Sequence, residues 1–208
     1  MLDVIQEQLE SIYGLRCEYR AKDFVIDGHA AKTLGGTARA REELLVAEGE
    51  EGLELSLYLE PTLLARLSTL HPVEAMASDL SAFCEVAEGV SHFLYVARSA
   101  ALERKVSLLE MEAQAEVDKF ALCTVLRWGS DVAHWATDLV DRLFQSVSFH
   151  AHLGLEERRR YETANRLGLR YARRLLPLIR RGSLDRVLAE LRHSYRMGAE
   201  AKLHYLDR

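Results

Sequence analysis

Residues 42–61 read EELLVAEGEEGLELSLYLEP. Leu53, Leu55, Leu57 and Leu59 alternate with Glu54, Ser56, Tyr58 and Glu60. Successive side chains of a strand point to opposite faces, so this period of two places four leucines on one side of a sheet. GEEG supplies a short hairpin connection back to LLVAE. Pro61 then ends the alternation, and its missing N–H suits a first helical turn. From Pro61 onward the chain reads as helix. The change of period sets the expected fold class as α+β: a small N-terminal antiparallel sheet with a predominantly α-helical C-terminal body.

Upstream of this stretch, Leu2, Ile5, Leu9 and Ile12 recur at spacings of three and four, the mark of an amphipathic helix, which Gly14 closes. CEYRAKDFVID (17–27) ends in an apolar run and reads as a strand. GHAAKTLGGTARA (28–40) has three glycines and no periodicity, so it reads as a loop. Downstream, Pro61 and Pro72 each open a helix. Ser78 or Asp79 caps a run to about residue 104. ERKVS (103–107) breaks it, and a long helix follows to about 149, bent near Gly129–Ser130. FHAHLG (149–154) is a connector. The next helix stops around Pro177, and Ser183 caps a last one. The expected division is an α+β region, 1–60, and a helical bundle region, 61–208, or the two as one continuous domain.

The 208 residues are 49% hydrophobic and 28% charged, a globular composition that argues against intrinsic disorder. Three prolines in the whole chain favour long helices. The first residues, MLDVIQEQLE, lack a basic segment followed by an apolar one, so no secretory leader is read there. No apolar run is long enough to cross a bilayer. Cys17, Cys84 and Cys123 are widely spaced and odd in number, which suits reduced thiols. The expectation is a cytoplasmic protein with no membrane partner.

Charge is uneven. Residues 1–150 carry a net −12 and residues 151–208 a net +7, within a total of −5. Residues 156–181 hold nine arginines against three glutamates. Arg159, Arg166, Arg170 and Arg173 fall within roughly 60° on a helical wheel, opposite Tyr161, Ala164, Gly168, Ala172, Leu175 and Ile179. Such a face binds phosphates, an acidic partner or the chain's own acidic half. It carries no interleaved aromatics for stacking on bases, and a pI near 5.9 is unlike a nucleic-acid domain.

Several His and carboxylate rows have metal-ligand spacing. Glu85, Glu88 and His92 share one helical face, opposite an apolar stripe through Phe83, Val86, Val90 and Leu94. Asp131, His134, Asp138 and Asp141 make another row, also opposite its core side. In LLEMEAQAEVDKF (108–120), Glu112 and Glu116 lie between two apolar stripes and need cationic partners if buried, whereas Glu110, Gln114 and Asp118 read as a polar face. Glu85, Glu88, His92, Glu112 and Glu116 are therefore the candidate ligands for a divalent or transition metal. His150-x-His152 is a weaker signal. GHAAKT lacks the second glycine of a phosphate loop, and no serine sits in a nucleophile elbow.

With no catalytic motif, the leading expectation is a non-enzymatic interaction or regulatory protein without a cofactor. It binds a protein partner or itself, as a homo-oligomer, with Arg159, Arg166, Arg170 and Arg173 as the partner-binding residues. The alternatives are a metal-dependent helical-bundle enzyme using the Glu/His cluster, and a nucleic-acid or phosphate binder through the arginines of 158–181.

Overall fold

The computed structural model describes residues 1–37, 40–49, 52–146 and 154–208. The chain forms two compact units, Met1–Glu10 with Leu15–Lys105, and Ser11–Gly14 with Val106–Arg208. The fold class is α+β.

In the first unit, α1 (Leu2–Tyr13, whose last residues fall in the second unit) is followed by a 3-10 turn at Ala21–Phe24 and a two-residue strand β1 (Val25–Ile26). Helix α2 (Gly28–Thr33) occupies part of the stretch expected as a loop. Its start was legible in Asp27, whose carboxylate accepts the amides of His29 (2.9 Å) and Ala30 (2.8 Å). Strands β2 (Glu42–Gly49) and β3 (Gly52–Leu59) form the expected hairpin, antiparallel from Gly49↔Gly52 to Glu42↔Leu59. The sheet order is β1-β3-β2, and β1 runs parallel to β3. The sheet is thus mixed rather than antiparallel throughout. Most of 17–27 stays out of it, because the 3-10 turn consumes four residues there.

Helices α3 (Pro61–Leu67), α4 (Pro72–Ser78) and α5 (Leu80–Ala100) complete this unit. Asp79 caps α5 by accepting the Ala82 amide at 3.0 Å. Helix α5 packs on the leucine face at Leu57 and Leu59, both buried, whereas Leu53 at the far end of the hairpin is exposed.

The second unit is built around α6 (Leu108–Leu126), with α7 (Val132–Val140), a π-helical turn at Asp141–Gln145, α8 (Leu155–Arg180), α9 (Leu184–Tyr195) and α10 (Ala199–Leu206). The long helix expected over 107–149 is two helices parted at Arg127–Asp131. The FHAHLG connector and the His150-x-His152 pair lie outside the described residues, apart from Gly154. Helix α8 runs through Pro177 instead of stopping there. Pro177 faces solvent, and buried Leu175, Leu176 and Ile179 on either side hold the helix to its neighbours. The helix ends at Gly182, whose φ of +64° only glycine adopts freely. The last helix divides into α9 and α10, with Gly198 at the start of the second.

Candidate metal centre

The leucine face of the sheet is not wholly apolar. Glu42 opens β2 directly across from Leu59, so it shares the face that α5 covers. On α5, Glu88 and His92 lie one turn apart and project together. The sheet approaches the helix closely because Gly89 stands between them. A Cβ at Gly89 would sit 2.9 Å from Cγ of Glu42, 3.0 Å from Cδ2 of Leu59 and 3.1 Å from Cδ1 of Leu57. The missing side chain is what lets Glu42 reach the α5 pair.

Nδ1 of His92 is 3.2 Å from Oε1 of Glu42. One donor atom from each of Glu42, Glu88 and His92 lies within 4.8 Å of the other two. His92 is 4% exposed, so the solvated face expected for this row is not what the fold provides. Two carboxylates gathered beside an imidazole under the sheet repel one another and favour a positive charge among them. Ligands around one transition-metal ion at about 2.1 Å stand roughly 3–4 Å apart, so the Glu42–His92 pair already has ligand spacing.

The structure separates Glu85 from this group. Its carboxylate takes Nη1 of Arg41 at 3.0 Å and the Ser81 hydroxyl at 3.2 Å. Burial raises the Glu85 carboxyl above its ordinary range, and the Arg41 charge opposes the rise. Arg41 also donates to Glu60 at 2.7 Å, which lowers the Glu60 carboxyl. Glu85 is thus occupied as an ion-pair partner.

Glu112 and Glu116 belong to the second unit. Glu112 is buried 3.5 Å from Nε of Arg160 on α8, and Glu116 is 3.1 Å from Nζ of Lys119. Gly168 lets α8 close on α6 beside Glu116, since a Cβ there would lie 2.7 Å from Cβ of Glu116. The supposed polar face of α6 is a correction. Glu110 (0% exposed), Gln114 (2%) and Asp118 (3%) are buried too. A helix packed on every side has no solvent face to give its polar residues, so they must be matched internally. Tyr13 donates to Asp118, Gln114 donates to Oδ1 of Asp118 (2.7 Å) and to the Tyr13 oxygen (3.1 Å), and Nζ of Lys202 donates to Oε1 of Gln114 at 2.8 Å. Burial, reinforced by the Asp118 charge, holds the Tyr13 phenol well above its usual range.

The other acidic row is solvated as expected. His134 and Asp138 form an exposed pair at 3.4 Å, one turn apart on α7. Arg159, Arg166, Arg170 and Arg173 are all exposed on α8, opposite its buried stripe. Among the described residues no helix is long and apolar enough to cross a membrane. No protein-family model, curated protein or solved structure matches the chain.

Glu42 was missed because it lies 46 positions from Glu88 along the chain and reads as an ordinary strand start. The signal was present in the hairpin. A turn closing at Gly49 and Gly52 puts Glu42 opposite Leu59, a charge on the face that the leucines define.

Proposed function

We propose that this protein is a metal-binding, non-enzymatic regulatory or interaction protein whose first unit holds one divalent transition-metal ion on Glu42, Glu88 and His92. The carrying observation is the convergence of three donor atoms, from a strand and from one turn of a helix, within 4.8 Å. One imidazole and two carboxylates form a mixed N/O set that suits Zn, Mn or Fe(II) rather than the all-oxygen shells of Ca and Mg. The setting under the sheet favours an ion that clamps β2 onto α5 over one that turns over a bulky substrate. A clamp of this kind makes the sheet's stability metal-dependent, and that is the regulatory element of the reading.

The test is calorimetric titration of chelator-stripped protein with Zn(II) and Mn(II), beside thermal unfolding. One ion binds per chain and raises the melting temperature. At a free-metal concentration of a hundred times Kd the gain is about 2.7 kcal/mol. Glu88→Gln, at a partly exposed position, lowers the affinity at least tenfold and leaves the metal-free melting temperature unchanged. Absence of binding by either metal at micromolar concentration, or equal binding by the variant, refutes the assignment.

The exposed arginine row favours a second reading, in which the second unit presents an anion-binding surface to its partner. Retention of the protein on an anionic matrix, lost in Arg159→Gln/Arg173→Gln, is the corresponding test.

A further inference from the structure

The arginine row on α8 is not uniformly available. Arg166 and Arg170, one turn apart, both donate through Nη1 to Oδ1 of Asp207, Arg170 at 2.8 Å. Arg170 also donates to the Asp207 carbonyl at 2.8 Å. Two guanidiniums therefore converge on a single point, and the chain's own carboxylate fills it. All three side chains are about half exposed: 47% for Arg166, 49% for Arg170 and 39% for Asp207. Ion pairs so open to water contribute little individually, so this occupant is readily displaced.

Helix α10 itself is firmly held. Lys202 and Leu206 are buried, and Arg174 donates to the Tyr205 carbonyl at 2.7 Å. The Arg174 guanidinium also lies 4.3 Å from the centre of the Tyr205 ring. The backbone that carries Asp207 is thereby fixed, and a turn of the Asp207 side chain frees Arg166 and the carboxylate contact of Arg170, whose bond to the carbonyl stays. The Asp207 carboxylate meets both cations with one oxygen. A phosphoryl group offers three oxygens and up to two charges, and so can accept from each guanidinium separately.

We propose that Arg166 and Arg170 form a binding site for a terminal phosphoryl group, a phosphomonoester or a pyrophosphate, which Asp207 occupies as a built-in competitor. Arg173, exposed on the next turn of the same face, adds charge beside it. Convergence on a point fits a terminal dianion better than the single charge of a phosphodiester. The reading is independent of the metal cluster in the first unit.

The experiment is calorimetric titration of metal-stripped protein with inorganic pyrophosphate, glucose 6-phosphate, citrate and a short single-stranded oligonucleotide. Asp207→Asn removes the competing charge and tightens pyrophosphate binding about tenfold, the effect of losing two exposed charge-assisted contacts. Arg166→Gln/Arg170→Gln, both at exposed positions, abolishes binding while the circular dichroism and melting temperature are retained. Glu88→Gln leaves it unchanged. The proposal is overturned if Asp207→Asn does not tighten binding, or if the double variant binds like the parent. It is equally overturned if citrate matches pyrophosphate, or if the oligonucleotide alone binds.

Discussion

Lys202→Met is the sharpest test of how the second unit is held together. Lys202 is fully buried, its ammonium donates to Gln114 at 2.8 Å, and it lies 5.1 Å from the centre of the Tyr195 ring. Gln114 and Tyr13 in turn hold the buried carboxylate of Asp118. Methionine keeps the length and apolar stem of lysine and removes only the charged donor. The substitution leaves the Gln114 carbonyl short of the donor that Lys202 supplies. Losing a hydrogen bond to a charged group costs about 1.5–3 kcal/mol. Both partners are buried, so the expected loss is at the upper end, about 3 kcal/mol. Trp128 and Trp135 both belong to the second unit, so tryptophan fluorescence in urea reports on it. With a slope of about 2 kcal/mol per molar urea the midpoint falls by about 1.5 M. Asp118→Asn in the same chain removes the buried charge that Gln114 also meets, and the double variant recovers at least about 1 kcal/mol relative to the sum of the single losses. A loss below about 1 kcal/mol for Lys202→Met, or strict additivity in the cycle, refutes the linked network.

Further outcomes follow from close contacts and from charge. Gly168→Ala drives a methyl into Cβ of Glu116 and the ring edge of Phe144, at 2.7 and 2.8 Å, and neither can swing away; thermal unfolding should show a loss of about 1–3 kcal/mol, and a neutral result would mean that α6 and α8 are not so close. Gly89→Ala meets mainly side-chain ends, so its stability cost is smaller, but by pushing Glu42 off α5 it weakens zinc binding in calorimetry; unchanged affinity counts against the cluster. Asp27, its carboxyl lowered by the amides of Ala30 and then His29, titrates below the ordinary value of 3.8 in an NMR pH series. Its contribution to α2 is present above the unfolded-state value and is lost as pH falls through the folded one; a midpoint at or above 3.8 removes the cap.

Local pattern made much of this protein legible. The leucine alternation gave the hairpin, proline at 61 and 72 gave two helix starts, and Asp79 gave the cap of α5. Each rests on interactions within a few residues, which a sequence displays directly. The arginine row was legible for the same reason, since one helix carries it. Legibility failed where packing on more than one side decides the outcome. The face of α6 that bears Glu110, Gln114 and Asp118 has the spacing of a solvated row. It is buried because Lys202 and Tyr13, far off in the chain, arrive with matching donors. Pro177 reads as a helix stop, yet buried Leu175, Leu176 and Ile179 on either side carry α8 past it. Glu88 and His92 were marked by their spacing, but only the approach of β2 across Gly89 supplied Glu42 as the third donor and drew Glu85 away to Arg41. Sequence by itself determined the elements and the polarity of each face, because backbone geometry fixes where successive side chains point. Tertiary structure decided which polar faces meet water and which meet each other. That choice depends on partners distant in sequence, and on the desolvation cost that makes every buried charge find one.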